Sequence, residues 1–366
     1  MKISLATTLA LVSSINAQTT APAVPVVQLP ACGSGTPDIT VSGSNPYRVT
    51  RAGGANVYSG GDLGQAINTA LRSITSGQRV SVLSSGSIGS TVIAVGSGKT
   101  FESCGVLNVT PTRSGTGNVE SKNTVGARIN YLTLTGTSGF ALHHYGVRDL
   151  FLGNIVINVT RGIGIRFDRD NPPNNNVVMN SIRCNGPSSH CVETWKIYGL
   201  QIGEVVARNV GESGLLIQNG TNTRVGYVEG ENVGRGTGYG TLRFANQNGL
   251  RSGSYNTNIF IDRVRSRGGG RGFFCVSRSG AAVINNIDFA NNGNNAILIE
   301  NCYNVRINGG TINGGGEVRV SARTEFPNTR DLDITLRVDG TTVRESPCAT
   351  NSRWTLTGSG GRDICA

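Results

Sequence analysis

Hydrophobic and polar residues alternate in short segments that recur along most of this chain. From about residue 128 each unit holds two alternating segments that an Asn- or Gly-containing bend separates. When the second segments are stacked, equivalent positions recur every twenty-odd residues, which is typical of a β-solenoid. The stacked central positions are Leu142, Arg166, Glu193, Leu216, Arg243, Cys275, Leu298 and Arg319.

The residues on either side of these central positions form a nearly uniform apolar set. Successive side chains of a strand point to opposite faces, so these residues are predicted to fill one interior. All of them except Thr194 are apolar: Ile165/Phe167, Val192/Thr194, Leu215/Ile217, Leu242/Phe244, Phe274/Val276, Ile297/Ile299 and Val318/Val320. We therefore predict an all-β fold, a single right-handed parallel β-helix.

One segment near the N-terminus has helical periodicity instead. Leu63, Ile67, Ala70 and Leu71 share one apolar face, and Asp62 precedes them as a suitable N-cap. Each coil of a solenoid buries its apolar face only against neighbouring coils. We therefore expect this helix to cap the open N-terminal end.

The N-terminus has the features of a secretory signal peptide. A lysine is followed by an apolar run and a small residue at Ala17. The run is too short to span a bilayer, and no later stretch is apolar enough. We predict a secreted, extracellular protein with no membrane segment, divided into a signal peptide (1–17), a Thr/Pro-rich linker (18–31), a β-helix domain (32–345) and a disulfide-clamped tail (346–366).

An even number of cysteines in an exported chain indicates disulfides. None has the paired spacing of a zinc site, and sequence alone leaves many connectivities open. Proximity favours three pairs and leaves a fourth as the remainder: Cys184–Cys191, Cys348–Cys365, Cys275–Cys302 and Cys32–Cys104. Asn108, Asn158 and Asn219 begin Asn-X-Thr sequons, which are glycosylation sites in a eukaryotic host.

The chain is strongly basic, with 33 Lys and Arg against 22 Asp and Glu, a net charge of +11. Almost all of this charge is arginine, whose planar fork grips carboxylates. Export and the lack of an aromatic-basic binding motif disfavour nucleic acid. We expect a monomer whose partner is an acidic polysaccharide.

The amphipathic helix, the Val/Ile strands, the Asn-rich coils and the segment Gly-Lys-Thr-Phe-Glu-Ser-Cys-Gly (98–105) together resemble a known superfamily. It is the secreted pectate-lyase-like β-helix superfamily in its fungal form, which includes pectate lyases, pectin lyases and polygalacturonases. The resemblance covers roughly residues 55–340. It implies a β-helix with a substrate groove along one parallel sheet, but a fold does not fix a reaction.

The outward positions of the stacked segments place acidic, basic and aromatic residues together. We predict His144, Arg166, Asp168, Glu193 and Arg243 as catalytic residues of one patch. Aromatic and polar neighbours are predicted to bind the substrate: Trp195, Gln218, Lys196, Tyr145 and Arg319. By the same parity His143 is expected to point inward.

β-Elimination on a uronic-acid polymer suits this patch best. Arg166 and Arg243 are expected to clamp the C6 carboxylate. His144 or an arginine is expected to remove the C5 proton, and Tyr145 or His143 to protonate the leaving oxygen. The resemblance to pectate lyases adds the alternative that Asp168 and Glu193 hold Ca²⁺.

Two other functions remain open. Asp168 and Glu193 are placed to serve as the two carboxylates of an inverting glycoside hydrolase. The polygalacturonase signatures Asn-Thr-Asp, Asp-Asp, Gly-His-Gly and Arg-Ile-Lys are absent, which disfavours that family. The third function is a non-catalytic secreted protein that binds wall polysaccharide or a host surface.

Overall fold

A computed structural model describes residues 24–235 and 238–365 of the chain. Its strands form a parallel β-solenoid of about 12 turns, and only 3% of the described part of the chain is helical. The predicted all-β parallel solenoid is confirmed, and the arrangement fits a right-handed β-helix. Among the described residues, no helix is both long and apolar enough to cross a membrane.

Short strands form one side of the solenoid, each paired in parallel with the short strand of the next coil. The C-terminal parts of two long strands, β21 (Ser279–Glu300) and β23 (Gly310–Ser321), continue this stack. The short strands are β6 (Ile93–Ala94), β8 (Val119–Lys122), β10 (Phe140–Tyr145), β12 (Ile163–Phe167), β14 (Val192–Trp195), β16 (Leu215–Gln218), β18 (Gly240–Ala245), β20 (Arg271–Cys275), β25 (Thr342–Glu345) and β27 (Gly361–Asp363).

Longer strands form the remaining sides and pair in the same parallel manner. They are β4 (Arg79–Val82), β5 (Gly86–Gly89), β7 (Thr100–Val109), β9 (Arg128–Gly136), β11 (Arg148–Val159), β13 (Asn174–Asn185), β15 (Ile197–Arg208), β17 (Thr221–Glu231), β19 (Ile259–Arg267), β21 (Ser279–Glu300), β22 (Cys302–Ile307), β23 (Gly310–Ser321), β24 (Arg330–Asp339) and β26 (Thr350–Thr357).

The N-terminal end is closed by three strands and the predicted helix. The strands β1 (Ile39–Ser42), β2 (Tyr47–Arg51) and β3 (Asn56–Gly60) pair antiparallel to one another. The helix α1 (Leu63–Arg72) begins at the predicted N-cap, where Asp62 accepts the Gln65 N–H at 2.9 Å. Its apolar face is buried in the main core, so the predicted helix is confirmed.

The interior is filled by the apolar side chains that the stacked pattern predicted, with two exceptions. In β12, β14, β16, β18 and the later coils the predicted inward residues are buried. In β20 the parity is reversed, because Phe273 and Cys275 point inward while Phe274 and Val276 belong to a separate outward cluster. In β10 Leu142 is inward as well, so His143 rather than Leu142 is the neighbour of Arg166. A register slip of one residue reverses every side chain of a strand.

All four predicted disulfide pairs are present. Three tie a loop or a neighbouring coil to the solenoid, and the fourth closes the C-terminal segment. The bonds are Cys32–Cys104, Cys184–Cys191, Cys275–Cys302 and Cys348–Cys365.

The segments at both ends of the solenoid contact its coils. The predicted signal peptide lies outside the described residues, as does the linker before residue 24. Farther along, the Val27 N–H donates to Asn180 Oδ1 at 2.6 Å, and the Tyr131 hydroxyl donates to the Pro30 carbonyl at 2.7 Å. In the tail, β26 and β27 pair with β24 and β25 and so extend the solenoid.

Candidate functional site

The outward face of the short-strand sheet, here called the wall, carries one continuous column of side chains. Directly paired residues of successive strands define this column. In order they are Glu120, His143, Arg166, Glu193, Leu216, Arg243, Phe274, Leu298 and Arg319. Adjacent strands of a sheet lie about 4.8 Å apart, so the predicted Arg166, Glu193 and Arg243 do share one surface.

His144 does not belong to this surface, and its predicted catalytic role is wrong. Its side chain is fully buried and its ring packs 5.2 Å from that of Phe167 inside the solenoid. The Ser121 N–H donates to His144 Nδ1 at 3.2 Å, which requires this nitrogen to be unprotonated. Burial, with a smaller contribution from His143, lowers the pKa of His144 to about 3. The imidazole is therefore a neutral core residue.

His143 takes the outward place that His144 was expected to have. Its Nε2 lies 2.9 Å from Asp168 Oδ2, and its Nδ1 lies 3.7 Å from Glu120 Oε1. Glu120 also pairs with Lys122 at 2.6 Å. Burial alone would raise the pKa of Asp168, but hydrogen bonds from the Asp170 N–H and from His143, together with the charge of Arg166, hold it below its usual value.

Glu193 collects hydrogen bonds from three neighbours. It accepts from Arg166 at 3.2 Å, from Trp195 Nε1 at 3.0 Å and from Gln218 Nε2 at 3.2 Å. The predicted Arg166, Trp195 and Gln218 are thus held around one carboxylate. We name Glu120, His143, Arg166, Asp168 and Glu193 the ionic half of the wall.

The two carboxylates proposed as Ca²⁺ ligands do not form a calcium site. Asp168 is bound to His143 and Glu193 to Arg166, so each already faces a cationic or hydrogen-donating partner. Ca²⁺ takes six to eight oxygen ligands. Within the described part of the chain, Cys32, Glu102 and Cys104 are the one group with metal-ligand proximity, and both cysteines are in a disulfide.

Arg243 lies in a different environment, two strands beyond Glu193. Its guanidinium stacks 4.3 Å from the Tyr239 ring centroid and 5.0 Å from that of Phe274. Its Nε is buried without a hydrogen-bond partner. Burial lowers the pKa of Arg243, although Tyr239, Glu212 and Glu193 oppose the shift.

A second arginine lies beside Arg243 in the next coil. The Arg271 guanidinium is 4.6 Å from the Phe274 ring, and its Nε donates to Asn295 Oδ1 at 3.0 Å. Burial lowers the pKa of Arg271 as well. Among residues 24–235 and 238–365, no carboxylate forms an ion pair with Arg243 or Arg271. We name Tyr239, Arg243, Arg271 and Phe274 the arginine half of the wall.

Besides Arg271, three polar residues in or beside the arginine half escaped the sequence analysis: Tyr239, His190 and Glu212. His190 Nε2 lies 3.0 Å from Glu212 Oε2, and the His190 ring meets the Tyr239 ring edge-on at 5.4 Å. Burial and the charges of Arg243 and Arg166 lower the pKa of His190 to about 3. One sequence feature could have identified these residues: His190, Glu212 and Tyr239 each lie one to three residues before a short strand.

The other predicted binding residues lie farther from the arginine half. Tyr145 packs under Lys122 Nζ at 5.3 Å. Lys196 forms the bend after β14 with φ 49°. Arg319 pairs with Glu317 at 3.2 Å, three strands beyond Arg243.

The chain matches no protein-family model, no curated protein and no solved structure. Its function is therefore inferred from the residues of the wall.

Proposed function

We propose that this protein is a secreted polysaccharide lyase that cleaves an acidic, uronic-acid-containing glycan, pectic in type, by β-elimination. The observation that carries the proposal is the arginine half: two half-buried arginines on an outward surface, whose guanidinium groups stack on aromatic rings and have no carboxylate partner among the described residues. A carboxylate from outside the chain would complete this arrangement. The parallel β-helix fits the pectate-lyase-like fold, and four disulfides are compatible with export.

The reaction assigns one task to each group of the arginine half. Arg271 binds the C6 carboxylate of the uronate, which acidifies the proton on C5. Arg243, in its neutral form, accepts that proton; burial lowers the pKa of this guanidinium, which is the direction that a base requires. The C5–H electrons form the C4=C5 double bond as the C4–O4 bond breaks.

Tyr239 completes the proton balance. Its phenol donates a proton to the leaving O4. The resulting phenolate then recovers a proton from the Arg243 guanidinium, which the Tyr239 side chain contacts. Both groups return to their starting protonation states, and no cofactor or external oxidant is consumed.

The ionic half favours elimination over hydrolysis by Asp168 and Glu193. An inverting hydrolase needs one of its carboxyl groups to donate a proton to the leaving oxygen. Here Asp168 accepts from His143 and the Asp170 N–H, and Glu193 accepts from three donors. The pKa of Asp168 is also lowered, which is the direction opposite to that of a general acid.

The decisive assay compares two readouts on the same digests. The secreted protein is incubated with pectins of low and high methyl esterification, alginate, glucuronan and a neutral glucan. A lyase yields ultraviolet absorbance from an unsaturated uronide together with new reducing ends. Reducing ends without that absorbance would indicate a hydrolase, and binding without either product would indicate a non-catalytic glycan-binding protein; both results contradict the proposal.

A further inference from the structure

A cavity of about 410 Å³ opens beside the wall, at the edge where its short strands end. Its lining comes from the bends that follow successive strands and from a loop after β23. We call it the edge cavity and define it by Arg169, Trp195, Asn219, Asn246, Arg278 and Phe326. It is separate from the arginine half, whose residues do not line it.

The lining of the edge cavity suits an acidic sugar. Trp195 and Phe326 offer two aromatic surfaces, and sugar-sized ligands bind in concave sites of this size. The Arg278 guanidinium lies 5.4 Å from the Phe326 ring, and that of Arg169 lies 5.8 Å from the Trp195 ring. Among the residues that the structure describes, Arg169 forms an ion pair only with the exposed Asp170, a contact that contributes little in water.

The cavity is held in place from below. The buried Asn301 donates to the carbonyl of Pro327 at 3.0 Å, and the Tyr303 hydroxyl donates to the same carbonyl at 3.1 Å, which fixes the loop that carries Phe326. On the other side Asn246 donates to Gln218, which donates to Glu193. The cavity is therefore connected to the ionic half by hydrogen bonds and needs little ordering when a ligand binds.

One sequon of the chain opens directly into this cavity. Asn219 occupies the bend after β16 with φ 46° and contributes to the lining. The other sequon asparagines, Asn108 and Asn158, are exposed in β7 and β11, where both pair with Thr135. Only a glycan on Asn219 would begin among the aromatic and basic side chains of the edge cavity.

We infer that an N-glycan on Asn219 and a uronate of the bound polysaccharide compete for the edge cavity, so that glycosylation of this single sequon closes a substrate subsite. The inference rests on the acidic-glycan specificity proposed above but not on the elimination chemistry. It makes Asn219 a regulatory modification site, whereas Asn108 and Asn158 do not line the edge cavity.

The test measures binding rather than turnover. The chain is secreted from a glycosylating host with Tyr239→Phe, which slows cleavage and keeps both arginines. Asn219→Gly removes the sequon without backbone strain, since glycine accepts the left-handed conformation of this bend. Asn158→Gln removes an exposed sequon in a strand as the matched control. Occupancy is read by mass spectrometry and oligogalacturonate affinity by calorimetry.

We expect Asn219→Gly to bind oligogalacturonate about tenfold more tightly than the glycosylated parent, a change of about 1.4 kcal/mol, and Asn158→Gln to bind like the parent. Adding Phe326→Ala should remove the difference. Equal affinity of the parent and Asn219→Gly, or an unoccupied Asn219 beside occupied Asn108 and Asn158, would overturn the inference. Neither result touches the lyase proposal, which fails only if the active chain makes no unsaturated product.

Discussion

The two halves of the wall use the same kinds of residue in opposite ways. In the ionic half every charge has a partner within the chain: Glu193 pairs with Arg166, and Asp168 pairs with His143. In the arginine half, Arg243 and Arg271 stack on aromatic rings and have no carboxylate partner in the described part of the molecule. The ionic groups of the first half are paired with one another, whereas no carboxylate among the described residues forms an ion pair with the two arginines of the second. Under the proposed function, this difference places the substrate carboxylate at the arginine half.

Substituting Arg243 should have the largest effect on activity and therefore tests the difference between the two halves most directly. Arg243→Ala removes the proposed base from the arginine half, and we expect a loss on the order of 10³-fold in kcat. Arg243→Lys keeps a basic nitrogen but not the planar guanidine group and should restore little. The rate of formation of unsaturated product is the measurement.

The matched control for Arg243 lies in the same column. Arg344 pairs with Arg319 in register and has the exposed Asp363 within 3.6 Å. Arg344→Ala should leave the rate unchanged. If Arg243→Ala and Arg344→Ala had equal rates, the arginine half would have no special role.

Acid should destabilise both halves through their buried neutral histidines. His144 lies behind the ionic half and His190 beside the arginine half, and the pKa of each is lowered from 6.5 to about 3. Between these values the unfolded chain binds more protons than the folded chain. The stability is therefore complete above about pH 6.5 and is lost as the pH falls toward 3.

Urea unfolding at a series of pH values measures this loss. We expect a total of several kcal/mol at about pH 4, since each pKa unit is worth about 1.4 kcal/mol. His144→Gln and His190→Gln should each remove about half of the pH dependence, whatever their stability at neutral pH. Slopes identical to that of the parent would show that neither histidine is responsible.

Arg166 sharpens the comparison, because it resembles Arg243 in type and position but already has a partner. Arg166→Met keeps the apolar stem and leaves Glu193 without its guanidinium, so the free energy of unfolding should fall by about 2 kcal/mol. The residual activity should exceed that of Arg243→Ala. Adding Glu193→Gln should recover part of the stability, and purely additive losses in this double-mutant cycle would show that the pair is not coupled.

The sequence predicted the inward and outward side chains correctly wherever a strand allowed only one reasonable assignment of them. In β12 and β18 an arginine stands between two large apolar residues, so Arg166 and Arg243 could only point outward. In β20 the run Phe273-Phe274-Cys275-Val276 is apolar at every position, and in β10 the pair His143-His144 is polar at both. In such runs apolar and polar residues do not alternate, so only the pairing with neighbouring coils fixes which side chains point inward.

The arginine half was only partly predictable for a different reason. Arg243 lies on a strand, so the alternation of apolar and polar residues predicted that its side chain points outward. Tyr239 and its neighbours outside the arginine half, His190 and Glu212, lie before strands, where the backbone bends and side-chain direction has no simple period. Their convergence depends on how successive bends stack, which is a property of the folded coil.

The smallest predicted effect concerns the residue where the ionic half meets the edge cavity. Trp195 donates from Nε1 to Glu193 at 3.0 Å and lends its ring to the cavity. Trp195→Phe keeps an aromatic surface but removes the donor, so the free energy of unfolding should fall by about 1 kcal/mol. Oligogalacturonate affinity should change less than threefold, about 0.6 kcal/mol, because the stacking surface remains. Calorimetry and urea unfolding on the same preparation separate the two roles of Trp195. A large loss of affinity with unchanged stability would mean that the indole N–H donates to the ligand and not to Glu193. The ionic half would then not be complete without substrate.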